Sequence, residues 1–406
     1  MSEIRYVDAD GHVVEHPTAI ADHAPQAFKD RVWHVETDKS GQEWAVFDGH
    51  RELANVYTAS AAAGFGEAEK AAAFRGELRY SELPAGAFEA KARLAALDAD
   101  GIDYSVLYPT GMLAIYNVTD LEFAEVLSRA YNDWLSSLCS DGEGRLFGAA
   151  VVPQSDIEAA AREVYRAAKL PHMVAAFLRP NPTADWKPLS DPVYDPLWRA
   201  FSDTGLALGF HPALFGDIPG AAAGLRIKSL DFDTAWNRGE LDLKPAMPGL
   251  PMGHNNHFFT QALANPFDMM TTIAFMVAGG VCTRFPELRM VFLEANGGWI
   301  VPWLERLDHH QKEFAFDVPW LKEPPSEIFK RHCWISFDPD ESALEFTASS
   351  PLVGAERIVW ASDYPHPDAK FPGTTQELAA ATANLPAAAR AAIAGGNTRS
   401  LYDIEV

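Results

Sequence analysis

Asp10-Gly-His12, within VDADGHVVEHP (7–17), sets a carboxylate and an imidazole two residues apart. On a β-strand that spacing turns both side chains to one face, and Asp8 joins them there. Two carboxylates and an imidazole on a buried face are costly without a cation. The cation is either a metal ion or the Lys or Arg of a salt-bridged cluster. The same stretch also reads His12-Val-Val-Glu15-His16, the H-x-x-E-H pattern that holds zinc on a helix. That reading needs His12 and His16 on one helical face. Gly11, the β-branched Val13 and Val14, and Pro17 all oppose a helix here, so the strand reading is adopted.

Two other residues complete a donor set. His211 in GLALGFHP (205–212) and Asp363 in RIVWASDYPH (357–366) each follow an apolar run. A carboxylate directly after an apolar strand requires a cation or a donor. Asp10, His12, His211 and Asp363 supply two nitrogens and two oxygens. That mixture suits one Zn²⁺, with Mn²⁺ or Fe²⁺ as alternatives.

For these residues to meet, their strands must end at one place. Eight short apolar runs end in polar residues, at 4–12, 104–110, 145–153, 172–180, 206–212, 288–295, 333–340 and 357–366. Helical periods lie between most of them, as at 122–138, 155–169 and 301–314. Strands alternating with helices predict a parallel sheet, and eight units over this length predict a (β/α)₈ TIM barrel spanning 1–406. An open doubly wound sheet is the rival, but no Gly-rich phosphate loop follows the first strand. Two insertions break the rhythm. Residues 13–90 contain two alternating runs around DKSG, a β-hairpin signal. Residues 213–262 are rich in Pro, Gly and Asn and suit a lid, a subunit contact or solvent-facing decoration.

Composition narrows the partners. With 406 residues, 48% of them hydrophobic, a large core is expected. A net charge of −23 disfavours nucleic acid. The charged first twenty residues predict no signal peptide, and the apolar run 270–281 is short enough to be a buried helix, so no membrane is expected. Cys139, Cys282 and Cys333 are far apart and flanked by apolar residues, which predicts reduced core cysteines and a cytoplasmic protein.

Five segments, VDADGHVVEHP (7–17), GLALGFHP (205–212), RFPELRMVFLEANGGWIVPWLERLDHH (284–310), VWASDYPHPD (359–368) and GGNTRSLYDI (395–404), together resemble the amidohydrolase superfamily. The resemblance is to the branch that includes 2-amino-3-carboxymuconate semialdehyde decarboxylase and aromatic-acid decarboxylases. It implies a single-metal barrel enzyme with the metal on Asp10, His12, His211 and Asp363, and it implies a homodimer. Many relatives have His or Glu at the position of Asp10. Many also carry a histidine after the sixth strand, where this chain reads FLEANGG (292–298) and offers Glu294, or more weakly Asn296. Arg179 ends the fourth strand, where a carboxylated lysine would be needed for two metals.

Such a site predicts decarboxylation of a small aromatic or unsaturated carboxylic acid, with Asp363 or Glu294 protonating the ring carbon. Hydrolysis of an amide, ester, lactone or ring C–C bond is the alternative, with Asp363 as proton shuttle. A barrel kept for binding without turnover is a third reading. His366 is a candidate catalytic residue. Arg179, Glu15 and His257 are candidate substrate contacts, Arg179 competing with a structural ion pair. His254 and His257 also fit a polar loop, and His16, His309 and His310 fit solvated positions. Trp44, Trp299, Tyr108 and Phe215 are aromatic residues near the predicted mouth, although core packing explains aromatics more often.

Overall fold

A computed structural model describes residues 4–75, 77–180, 183, 187–212 and 260–405. Each of the eight apolar runs forms a strand. They are β1 (Val7–Val13), β5 (Tyr104–Pro109), β6 (Leu146–Ala150), β7 (Met173–Leu178), β8 (Ala207–Phe210), β9 (Met290–Phe292), β10 (Cys333–Phe337) and β11 (Ile358–Trp360). They pair in parallel, in that order, as one sheet. The first and last strands then meet: the N–H of His12 donates to the carbonyl of Tyr364 (2.8 Å) and the N–H of Asp363 to that of Asp10 (3.1 Å). The predicted TIM barrel is therefore the observed fold, with β1 and β5 to β11 as barrel strands one to eight.

Continuous apolar runs suit strands buried on both faces, and every residue of β1 and β10 is buried. The helices between strands bury one stripe each. In helix Leu121–Ser140 the stripe includes Phe123, Leu127, Tyr131, Trp134 and Leu135, and Asp120 caps the start by accepting from the N–H of Phe123. Asn132 on that helix pairs its amide with both the N–H and the carbonyl of Val151, at 2.8 and 2.9 Å. The helix is thus pinned to the end of β6.

The predicted hairpin is part of a three-stranded antiparallel sheet, β2 (His34–Thr37), β3 (Glu43–Phe47) and β4 (His50–Leu53). Its first turn follows the DKSG signal, with Asp38 Oδ1 accepting from the N–H groups of Ser40 and Gln42. The third strand was not expected. Nearly all of the 213–262 insertion, with His254, His257 and Phe215, lies outside the described residues. The helical run Gln261–Arg284 has the length and apolarity of a membrane span, but half of its most apolar window is inside the protein. Met269, Ile273, Met276 and Val277 are buried there, as expected of a core helix. All three cysteines are buried and free.

Candidate metal centre

The strand ends bring Asp10, His12, His211, Glu294, Asp363 and His366 together. His12 Nε2 lies 3.2 Å from His211 Nε2, 3.6 Å from Asp10 Oδ1 and 3.4 Å from Asp363 Oδ1. His211 Nε2 lies 3.7 Å from Asp10 Oδ2 and 3.1 Å from Glu294 Oε2. Both imidazoles face a backbone carbonyl through Nδ1, that of Pro109 for His12 (2.9 Å) and that of Pro212 for His211 (2.6 Å). Carbonyls accept, so both Nδ1 atoms carry the proton and both Nε2 atoms present lone pairs. Two lone pairs this close cannot hydrogen-bond to each other.

The carboxylates point to the same conclusion. Asp10 Oδ1 is buried without a hydrogen-bond partner, and Asp363 Oδ1 faces His366 Nδ1 at 2.7 Å and His12 Nε2 at 3.4 Å. The ion-pair contacts of Asp10 are the two imidazoles, with no Lys or Arg among the described residues. Among the described residues, no cationic side chain forms a salt bridge with Asp10. Burial, then the charges of Glu294, Asp8 and Asp338, pushes the Asp10 carboxyl well up. Burial, then Asp368 and Glu294, does the same to Asp363. Burial lowers His12 strongly and takes His211 down to about 3. Neutral imidazoles with free lone pairs beside the unpartnered Asp10 oxygen and the Asp363 carboxylate form a donor set for one divalent cation.

The chain positions these groups through contacts distant in sequence. Asp8 accepts from Ser105 Oγ (2.8 Å), Ser362 Oγ (2.6 Å) and the N–H of Ser362 (2.9 Å), tying β1 to both of its neighbours. Gly11 permits this, because a Cβ there would come 2.6 Å from Ser105 Oγ and 2.7 Å from Asp8 Oδ2. Arg93 is buried and donates to the carbonyls of Gly86, His12 and Tyr364 while lying over the Tyr364 ring. It therefore grips the backbone of the first and eighth barrel strands together. Asp363 and Glu294 sit just past their strands at φ +54° and +44°, a region that costs non-glycine residues energy and recurs at functional sites.

Glu294 occupies the place expected for the sixth-strand residue. Gln261 donates to its Oε1 (2.9 Å), and burial pushes its carboxyl up to about 8. Asn296 instead donates to Asp338 (3.0 Å). His366 stacks on His12 at 4.0 Å between ring centroids, with Nδ1 2.7 Å from Asp363 Oδ1. It therefore adjoins the candidate metal ligands, and His12, Asp363 and His366 form a second overlapping trio of candidates. A cavity of about 50 Å³ opens beside these groups, lined by Asp10, Glu294, Asp363, Gln261, Asp338 and Lys370.

Arg179 is 1% exposed and donates from Nη1 to the carbonyl of Leu113 (2.9 Å), so it is a buried residue. After burial, its charge is a smaller influence that lowers both Glu294 and His211. Glu15 requires a correction. Its two carboxylate oxygens accept from the N–H groups of Gly111 (2.8 Å) and Met112 (3.0 Å), so backbone occupies the carboxylate expected to face substrate. The helical H-x-x-E-H alternative also fails, since His12 is in a buried strand while His16 is exposed and outside any helix. Among the mouth aromatics, Tyr108 is fully buried, with its hydroxyl 3.0 Å from that of Tyr402. Trp44 Nε1 bonds to Asp38 in the small sheet, and Trp299 Nε1 to the carbonyl of Ala295.

Sequence reasoning missed Arg93 and Thr110. Arg93 had a usable signal, because Ala90, Arg93, Leu94 and Leu97 share one helical face and all are buried.

The model of the amidohydrolase family matches residues 7–404, from the start of β1 almost to the end of the described chain. The chain belongs to the amidohydrolase family. Its curated relative in Dictyostelium discoideum, 2-amino-3-carboxymuconate-6-semialdehyde decarboxylase, is 22% identical over 290 residues, 71% of this chain and 70% of the relative. An amidohydrolase from Mycobacterium avium subsp. paratuberculosis K-10 superposes with a TM-score of 0.72 at 20% identity, covering 99% of this chain and all of that one. The 5-carboxyvanillate decarboxylase of Novosphingobium aromaticivorans, solved with manganese and 4-hydroxy-3-methoxy-5-nitrobenzoic acid, gives 0.63 at 16% identity, covering 98% and 96%. This amidohydrolase-family barrel thus shares its fold with a manganese-bound decarboxylase, and its own strand ends provide donors for a divalent ion.

Proposed function

We propose that this amidohydrolase-family enzyme decarboxylates a small aromatic or unsaturated carboxylic acid, using one divalent metal held by Asp10, His12, His211 and Asp363. The observation carrying this reading is the 3.2 Å approach of two Nε2 lone pairs beside the buried, unpartnered Asp10 Oδ1. When bound, the cation would act as a Lewis acid toward the substrate's carboxylate and an adjacent oxygen. The donor set suits Zn²⁺, and the manganese in the Novosphingobium enzyme makes Mn²⁺ an equal candidate.

The residues divide the remaining work. Glu294, whose carboxyl burial pushes up to about 8 in the metal-free protein, is the proposed proton donor. It gives its proton to the ring carbon as the carbon–carboxylate bond breaks and its electron pair returns to the ring, releasing carbon dioxide. Arg179, buried beside Glu294, supplies the positive charge that favours an anionic substrate. His366 holds Asp363 through the 2.7 Å contact. That contact also suits the rival hydrolytic reading, in which Asp363 would shuttle a proton from water. His257, from the insertion after the fifth barrel strand, remains a proposed substrate contact.

The test is to load the purified protein with Mn²⁺ or Zn²⁺ and screen hydroxybenzoic and unsaturated acids for released carbon dioxide. Metal-dependent release that Asp363→Asn abolishes supports the proposal. Hydrolysis of esters or lactones without carbon dioxide release overturns it in favour of hydrolysis. Metal-independent thermal stability and no turnover would favour a binding protein. Buried, unpaired cysteines support a cytoplasmic setting. A monomeric mass in solution would refute the homodimer expected from the family.

A further inference from the structure

Thr110 and the first three residues of the 3₁₀ helix Gly111–Asn117 touch three other strand ends. This segment follows β5, the second barrel strand. Thr110 Oγ1 lies 3.1 Å from His366 Nε2, after the eighth barrel strand. The N–H groups of Gly111 and Met112 donate to Glu15, after the first. The carbonyl of Leu113 accepts from Arg179 Nη1, after the fourth. Two site residues, His366 and Arg179, therefore rest on a segment whose own place is set by a third residue, Glu15.

Glu15 is fully buried, so its carboxylate has no water to compete for it. The fit is close: a Cβ on Gly111 would come 3.0 Å from Glu15 Oε2 and 2.9 Å from Tyr57 Cε1. Any side chain at 111 would separate the segment from the carboxylate. Thr110 then orients the His366 ring from its far nitrogen while Nδ1 faces Asp363. Partners one bond beyond a ligand fix its orientation, and their loss costs metal affinity.

We infer that Glu15 is a positioning residue: it seats segment 110–113, and through Thr110 and His366 it sets the orientation of Asp363, while through Leu113 it sets that of Arg179. This rests on the reading of Asp363 as a metal ligand.

The probe is Mn²⁺ alone, titrated into the full-length protein and followed by electron paramagnetic resonance. Glu15→Gln, Thr110→Val, their double variant and Thr110→Ser are compared, each checked for an intact fold by circular dichroism. Each of the first two should weaken Mn²⁺ binding about tenfold. The double variant should be no weaker than the worse single, because both act along one chain of contacts. Thr110→Ser, which keeps the hydroxyl, should bind as the unaltered protein does. If Glu15→Gln does not fold, Gly111→Ala replaces it, since it displaces the segment and leaves the carboxylate intact. Unchanged Mn²⁺ affinity in folded Glu15→Gln or Gly111→Ala, or a loss near a hundredfold in the double variant, overturns the inference while the metal centre stands. Failure of the unaltered protein to bind Mn²⁺ overturns both.

Discussion

Glu294 Oε2 lies 3.1 Å from His211 Nε2, the nitrogen that also faces His12. The sixth barrel strand thus delivers a carboxyl group to the centre of the donor set. Gln261 fixes its other oxygen.

Glu294→Gln keeps the shape of this group and removes its proton. General acid catalysis contributes about 10²- to 10⁴-fold. The variant should therefore lose at least about a hundredfold in kcat on whichever acid the screen identifies, while elemental analysis still finds metal. Steady-state kinetics with metal content measured on the same sample checks both halves.

Replacing Asp10 and His211 together by Ala removes two of the four proposed ligands. The unaltered protein should carry about one divalent ion per chain, and the double variant essentially none. Inductively coupled plasma mass spectrometry on dialysed samples decides this.

The pH dependence of metal-free stability follows from opposing shifts. Glu294 is raised from 4.5 to about 8, so its stabilising contribution is present below the lower value and is lost as pH rises through the upper. His211 is lowered from 6.5 to about 3, so its contribution is present above 6.5 and is lost as pH falls toward 3. Above pH 6.5 only the carboxyl effect remains. The metal-free protein should therefore lose Tm between pH 6.5 and 8. The Tm gain on adding Mn²⁺ should grow over the same interval, because the ion binds the deprotonated carboxylates. Differential scanning fluorimetry at pH 6.5, 7.2 and 8, with and without Mn²⁺, measures the gap.

Asp8→Asn tests the seam of the barrel. The carboxylate accepts from Ser105, Ser362 and the N–H of Asp10, and an amide cannot accept all of these bonds. Leaving one such donor unsatisfied costs about 1–3 kcal/mol. Urea unfolding should show that loss with an unchanged m-value.

The barrel and the residues at its mouth were legible in the sequence for one reason. Each strand is an apolar run that ends abruptly in a polar residue, and a parallel barrel gathers those ends. Glu15 misled because it follows His12 by only three residues, yet its partners are 96 and 97 residues away. Thr110 and His366 are 256 residues apart, and no local pattern marks such a pair. Arg93 was legible in principle, as a cation on the apolar face of its helix. The third strand of the small sheet, HREL (50–53), shows no alternation by which to find it.

The bond between Ser362 and Asp8 joins residues 354 positions apart, and the donor set straddles the same seam. During synthesis, Asp10 and His12 emerge long before Asp363. The proposed donor set is therefore complete only once the eighth barrel strand and Asp363 have been made. A chain truncated before the eighth barrel strand would leave two open sheet edges and an incomplete set of ligands.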